Sequence, residues 1–294
     1  MSSAASQPDA WTIEAVLRWA TEDFRARGIE TPRLDSEVLL AHALSSTRIR
    51  LIVDAKNPLT PEELGRFRET VKRRRAHEPT AYILGEREFY GRRFRVDRRV
   101  LVPRPDTEAL VEVALARTRP LSMSMRALDL CTGSGCVALT LARERPTSAI
   151  VAADVSDGAL AVARDNAARL GAYNVAFRRG DLFAAVDPSC RFDLVTANAP
   201  YITSHEMATL PADVRDFEPR LALDGGDDGL AIVRRIIEAA PAHLRRGGVL
   251  ALEVGKGHAP AVADLLALAR FSQIERGRDY ARVERVVSGV LEKA

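Results

Sequence analysis

Cysteine is scarce in this 294-residue chain, and the shortage sets a first limit. Cys131, Cys136 and Cys190 are the whole complement. They form no C-x-x-C pair and no disulfide framework, so a reducing, cytoplasmic setting is expected. Long apolar runs are missing too. No stretch approaches the ~18 apolar residues of a membrane span, and no membrane partner is expected. Residues 1–10 lack a basic n-region and an apolar core, and they read as a loose tail rather than a signal peptide. Charge of one sign is also lacking. The 43 basic and 40 acidic residues leave a net +3, too little to argue for direct, specific nucleic-acid binding. No internal repeat or low-complexity segment is visible. What remains is an ordinary globular composition, 47% hydrophobic and 28% charged, with enough chain for one large or two modest domains. A monomer is expected.

The first 85 residues read as helical. Trp11, Val16, Trp19, Ala20 and Phe24 share one helical face over residues 11–27, and Gly28 follows as a stop. Residues 34–44 and 48–54 give two more helices. Thr60-Pro61-Glu62-Glu63 is a capping box with Pro at the first helical position, opening a fourth helix to about His77. That helix ends in Lys72-Arg73-Arg74-Arg75. The run is either a solvated face suited to the negative end of the helix dipole or a docking patch for an acidic or RNA-associated partner.

The alternation of Glu88 to Val96 around Gly91 predicts a β-hairpin, placed at 86–97 as a linker between the two parts. The stiff loop Pro103-Arg104-Pro105-Asp106-Thr107-Glu108 offers Asp or Thr to cap a helix over 109–117. From there to residue 294, strand and helix alternate. Apolar runs at 127–130, 149–153, 174–177, 192–196 and 248–254 are separated by helical patterns at 135–145, 156–170, 227–240 and 258–269. This is the pattern of a doubly wound sheet. Residues 272–276 and 283–291 predict a closing hairpin, which would make one edge strand antiparallel and the sheet mixed.

Ligands of such sheets bind beyond the carboxyl ends of the strands. Cys131-Thr132-Gly133-Ser134-Gly135 follows the first strand of the sheet and opens a helix. Glycine there lets the backbone approach a ligand, and the helix start offers free N–H groups. A nucleotide loop, a simple turn or a methyl-donor site would all use it. No G-x-x-x-x-G-K-[ST] is present, and the spacing is not G-x-G-x-x-G, which disfavours phosphate-loop and dinucleotide folds. Asp154 ends the second strand of the sheet, where a carboxylate can accept both hydroxyls of a ribose; a helix-capping role beside Ser156 is the plainer alternative. Asp181 could accept from an adenine amino group, with Leu182 or Phe183 against the ring, or it too could be a cap.

The fourth run of the sheet stops at Asn198-Ala199-Pro200-Tyr201. Asn offers an amide donor and an amide acceptor, and Tyr offers a flat face, a combination suited to a planar, conjugated NH2 group. A turn residue before Pro is the plain reading.

Together these residues resemble the protein-(glutamine-N5) methyltransferases of peptide chain release factors. The resemblance runs through Glu78 to Gly85, the 103–108 loop, the 129–135 loop, the Asn198 motif and Asp224-Gly225-Gly226-Asp227-Asp228-Gly229-Leu230. It implies a five-helix substrate-recognition domain over 1–85 and a seven-stranded, Rossmann-like class I methyltransferase domain over 98–294. It further implies S-adenosyl-L-methionine as donor and S-adenosyl-L-homocysteine as product. The protein partner would be a release factor, its Gly-Gly-Gln glutamine entering between the two domains. By this similarity residues 131–135, Asp154, Asp181, Leu182 and Asn198 hold the donor, and Asn198 to Tyr201 hold the glutamine. The Asn198 oxygen and the Ala199 carbonyl would accept the two N–H bonds of the substrate amide, and Tyr201 would pack on its plane. No metal is implied.

Two positions depart from the family pattern. Ala199 replaces a Pro, keeping the carbonyl but losing the fixed φ. Cys131 stands where the family usually has Gly, and a thiol near a helix start could have a lowered pKa. Three rival readings use the same features: methylation of a ribosomal-protein glutamine, methylation of an exocyclic base amine, and a non-catalytic donor-binding module.

Overall fold

The computed structural model describes residues 11–119 and 124–292, so the expected tail at 1–10 lies outside the described residues. The chain divides into two compact units, Met1–Gly85 and Glu86–Ala294. Among the described residues no helix is long and apolar enough to cross a membrane.

The first unit holds α1 (Ile13–Ala26), α2 (Pro32–Ala43), α3 (Arg48–Val53), α4 (Pro61–Arg75) and α5 (Thr80–Leu84). In α1 the buried residues Ile13, Val16, Ala20 and Phe24 recur every three or four positions and make one apolar stripe. They meet Leu39 and Leu40 of α2 and Phe67 and Val71 of α4 in a single cluster. The capping box forms as the sequence predicts: the Thr60 hydroxyl accepts from the Glu63 N–H and the Glu63 carboxylate from the Thr60 N–H. The short α5 has no periodicity to read, and only the family resemblance implied it. It stops at Gly85, which takes a left-handed φ of 73°.

In the basic run at the end of α4, Lys72 and Arg73 are exposed, as a solvated face would have them, but the three arginines are each paired. Arg73 grips Glu78 through two nitrogens, Arg75 grips Asp23 the same way, and Arg74 bonds Asp35 at 2.7 Å. The Arg74 and Asp35 side chains are 7% and 8% exposed, so this pair sits inside the helical core. Breaking a buried pair by removing one partner strands the other charge in a poorly solvating interior. Asp35→Ala should therefore cost the first unit about 3 kcal/mol. Both tryptophans, Trp11 and Trp19, lie in this unit, so urea unfolding followed by tryptophan fluorescence reads it directly. A loss under about 1 kcal/mol would place the pair among exposed bridges of little consequence.

The second unit opens with a hairpin, β1 (Glu86–Phe89) and β2 (Arg92–Arg95), followed by α6 (Glu108–Arg117). The alternation then runs β3 (Arg126–Leu130), α7 (Cys136–Glu144), β4 (Ala149–Asp154), α8 (Asp157–Leu170), β5 (Val175–Arg179) and β6 (Phe192–Asn198). It continues with a single turn, α9 (Ala212–Arg215), then α10 (Ala231–His243), β7 (Leu244–Glu253), α11 (Ala259–Leu268), β8 (Phe271–Arg278) and β9 (Glu284–Leu291). Seven strands form one sheet in the order β5-β4-β3-β6-β7-β9-β8. All neighbours from β5 to β7 are parallel, and β9 runs antiparallel to both β7 and β8. The closing hairpin thus places the antiparallel strand one position in from the edge, with β8 outermost.

Both faces of this sheet are covered. Leu128, Leu130, Val195, Ala197, Leu250 and Leu252 join one cluster with α10 and α11. Ala127, Leu194, Val249 and Ala251, one residue out of phase, join the other with α6 and α7. The hairpin belongs to this second cluster through the buried Phe89 and Phe94, so it is packed structure and not a free linker. Several bounds differ from the sequence reading: α2 starts at Pro32 rather than 34, β7 starts at Leu244 rather than 248, and β8 runs to Arg278 rather than 276. α10 starts at Ala231 rather than 227, because Asp228 accepts from the Leu230 N–H and Gly229 takes φ 72°, which shapes a loop there. The expected side-chain cap on α6 is also absent. A 3-10 turn over Pro105–Thr107 leads into the helix, and Thr107 makes no capping bond.

Candidate active site

A cleft opens at the carboxyl ends of β3, β4 and β6, where a parallel sheet leaves room for a ligand. Cys131, Thr132, Gly133 and Ser134 line it from the β3–α7 turn, Asp154 from the end of β4, and Asp181 and Leu182 from the segment after β5. Asn198 and Pro200 enter after β6, and Thr107 and Arg104 border it from the loop before α6. Of the residues expected to form the site, Gly135, Ala199 and Tyr201 are not among the described residues lining the cleft, and each has a structural reason.

Gly135 is the N-cap of α7 with φ 81°, and a Cβ there would come within 3.2 Å of Ala163 on α8. It serves helix–helix packing. Ala199 is 1% exposed and its side chain belongs to the core cluster. Tyr201 turns towards Gly255, where an added Cβ would meet the tyrosine ring at 3.1 Å. Burial, and after it the Glu253 charge, pushes the Tyr201 phenol up to about 12, so it stays neutral.

The glycine-rich segment after residue 223 explains how the Asn198 loop is held. A Cβ on Gly225 would lie 2.8 Å from the Pro200 carbonyl oxygen, and one on Gly229 would lie 2.4 Å from that of Tyr201. Ile202 donates to the Leu223 carbonyl at 2.9 Å, and Gly225 donates back to the Ile202 carbonyl at 2.8 Å. Only side chains of hydrogen fit this contact.

The acidic residues divide by role. Asp154 does not cap α8; Ser156 does, accepting from the Ala159 N–H. The Asp154 carboxylate instead accepts from the Gly133 N–H and the Ser156 N–H, both at 2.9 Å, which ties the β3–α7 turn to the end of β4. Its pKa is raised, chiefly by burial. Asp181 is exposed and pairs with Arg235 at 2.6 Å; it makes no side-chain cap. Asp129, which the sequence reading passed over, is buried beneath the cleft. It accepts from the hydroxyls of Thr132 at 2.6 Å and Thr196 at 2.7 Å, and burial pushes it up to about 6.

Asn198 donates through its amide NH2 to the Thr107 hydroxyl at 3.1 Å, leaving its oxygen for the cleft. Beside Thr107 stands Glu253, which ends β7 directly opposite Asn198 in the strand register. Neither Thr107 nor Glu253 figured in the sequence-derived site. A signal did exist for Glu253: it is the lone acid in the apolar run Val249 to Val254. Arg104 is braced by Glu218, whose carboxylate also accepts from the Val102 N–H.

Residues 15–85 match the family model described as PrmC N-terminal domain, and residues 127–217 match one described as methyltransferase domain. A release factor glutamine methyltransferase of Cereibacter sphaeroides is 46% identical over 95% of this chain and 98% of its own length. One from Geobacter sulfurreducens is 42% identical over 96% and 98%. The chain belongs to the release factor glutamine methyltransferase family. Its fold is shared with a solved methyltransferase of Pyrococcus furiosus, at a TM-score of 0.51 and 17% identity over 70% of this chain and 91% of that one.

Within this methyltransferase, Cys131 behaves unlike the reactive thiol that its place near a helix start suggested. Its pKa is raised, by burial first and then by the charges of Asp154, Asp129 and Asp181. Its φ of 56° is a left-handed conformation that suits the family's usual Gly and costs a side chain roughly 1 kcal/mol. Since the thiolate is the nucleophile, iodoacetamide at pH 8 should alkylate Cys131 at least about tenfold more slowly than glutathione. Peptide mass spectrometry over a time course reads this, and labelling as fast as glutathione would show an activated thiol.

Proposed function

We propose that this enzyme transfers a methyl group from S-adenosyl-L-methionine to the side-chain nitrogen, N5, of the glutamine in the Gly-Gly-Gln loop of peptide chain release factors, releasing S-adenosyl-L-homocysteine. The observation that carries the reading is the fixed amide of Asn198. Its NH2 is committed to Thr107, so it presents an oxygen to the cleft beside the β3–α7 turn.

The residues of the cleft fit the donor. The carboxylates Asp129, Asp154 and Asp181 border the cleft and act on the Cys131 thiol, with Arg235, the partner of Asp181, offsetting part of their charge. Such a field suits a sulfonium cation and opposes a polyphosphate. In this reading the 131–134 turn, Asp154, Asp181 and Leu182 hold the donor, which supplies when bound a methyl carbon already electrophilic by attachment to positive sulfur. The chain's own task is to make a poor nucleophile face it. A carboxamide nitrogen shares its lone pair with the carbonyl. The Asn198 oxygen accepts one N–H of that nitrogen, and the Ala199 carbonyl, the next acceptor along the loop, takes the other. Two acceptors on the N–H bonds turn the lone pair to the methyl group and offset the positive charge that grows on nitrogen. No side chain is assigned as a general base, and the proton leaves to water after transfer.

Homologues of this length and identity named for release factors favour that substrate over a ribosomal-protein glutamine or a base amine. The test incubates enzyme and methyl-labelled donor with a release factor and with the same factor carrying Gln→Ala in its loop. Label should appear on the first alone; label on both redirects the reading to another acceptor. Asn198→Ala should lower kcat by about 10²–10³ while donor affinity by calorimetry stays intact. Unchanged turnover would remove Asn198 from the mechanism.

A further inference from the structure

The Asn198 oxygen can act as an acceptor only if its amide is held one way round, since a 180° flip would present NH2 to the substrate's own N–H bonds. Nothing in the Asn198 side chain itself chooses between the two orientations. The choice has to come from the partner on the other end of the amide. That partner, Thr107, is 1% exposed, and its hydroxyl has one proton and two lone pairs. It therefore could donate to an oxygen or accept from an NH2. At the N-cap position of α6 a threonine hydroxyl ordinarily accepts from the helix backbone, yet Thr107 makes no such bond. Its hydroxyl oxygen accepts from Asn198 instead, which leaves its proton for the carboxylate beside it, Glu253.

Glu253 is the last residue of β7, paired in register with Asn198, and it is 1% exposed. Among the described residues its Oε2 has no hydrogen-bond partner. Leaving a carboxylate oxygen buried and unpaired is costly, so a role other than stability is indicated. An ionised carboxylate can only accept. Facing Glu253, the Thr107 hydroxyl must donate, which leaves lone pairs alone towards Asn198; Asn198 must then present NH2 to Thr107 and oxygen to the cleft.

We propose that Glu253, acting through Thr107, is the positioning residue that sets the direction of the Asn198 amide and so creates the acceptor that orients the substrate nitrogen. This rests on the proposed glutamine methylation. The relay is ordered: Glu253 accepts from Thr107, and Thr107 accepts from Asn198. Protonating Glu253 removes the order, because a carboxylic acid can donate to Thr107, whose own proton is then free to turn to the Asn198 oxygen.

Several groups surround Glu253 and share its field. Arg285 of β9 and Arg104 favour the anion, whereas Asp106 opposes it; Tyr201 and Cys136 face it as neutral groups with raised pKa values. Burial outweighs these and pushes Glu253 up to about 7. The anion, and with it the acceptor, is gained as pH rises through that value.

The test compares wild type with Glu253→Gln, Thr107→Val and Thr107→Ser. Methyl transfer to the release factor should show kcat lowered about tenfold or more in Glu253→Gln and in Thr107→Val. KM for the factor and donor affinity should change little, and Thr107→Ser should restore kcat. Wild-type kcat should rise through pH 7, and Glu253→Gln should lose that limb. Independently of turnover, the Asn198 side-chain NH2 signal in a ¹⁵N NMR spectrum, assigned through Asn198→Asp, should titrate near pH 7 in wild type and not in Glu253→Gln. Full kcat in Glu253→Gln, loss that Thr107→Ser does not restore, or an Asn198 signal that does not titrate overturns the relay. A wild type that methylates no release factor while the NMR titration appears overturns the functional reading and leaves the relay standing.

Discussion

A parallel sheet covered on both faces has nowhere for polar side chains except along its carboxyl edge, and the second unit obeys that constraint closely. Leu128 and Leu130, Val195 and Ala197, Leu250 and Leu252 fill one face, and Ala127, Leu194, Val249 and Ala251, one residue out of phase, fill the other. Polarity then collects where the strands stop: Asp129 on β3 with Cys131 just after it, Asp154 on β4, Thr196 and Asn198 on β6, Glu253 on β7. The chemistry is concentrated because the core rejects it everywhere else. A group such as Asp129 stays at the boundary only because two threonine hydroxyls satisfy it.

That concentration also sets the electrostatics. Three carboxylates within reach of one thiol raise the pKa of Cys131, although its backbone position near a helix start would by itself lower it. The helix-terminus effect is a fraction of a charge over one turn, whereas burial acts first and the neighbouring carboxylates add to it, Arg235 offsetting a part. The environment that keeps this thiol protonated is therefore set by the walls of the cleft and not by the helix start.

Local chemistry was readable in the sequence, and non-local partnership was not. Thr60-Pro61-Glu62-Glu63 announces its helix because the cap needs residues three apart and nothing else. The strand–helix alternation and the Asn198 motif are legible for the same reason: period, breaker and motif all sit within a few residues. Thr107 shows the opposite case. Its loop reads as a helix start, and the hydroxyl would have been assigned to capping, because the alternatives, Asn198 and Glu253, lie about 90 and 146 residues away and meet it only through the β6–β7 register. Arg73, Arg74 and Arg75 fail similarly. As a run they resemble a charged surface, but their partners Glu78, Asp35 and Asp23 come from three separate places in the chain.

The departure at Ala199 finds its answer in the same kind of distant contact. Proline at that position would fix φ within the loop itself. Here the loop is clamped from outside: Gly225 and Gly229 press against the Pro200 and Tyr201 carbonyls, Ile202 donates to Leu223 and accepts from Gly225, and Asn198 is anchored through Thr107. A local restraint adds little to the geometry of the folded loop where three external ones already hold it; what proline would add is a lower entropy of the unfolded chain. The motif's tolerance of alanine therefore depends on the glycines 26 and 30 residues after it. A proline lost at 199 is a small change; a side chain gained at 225 or 229 would displace the acceptor itself.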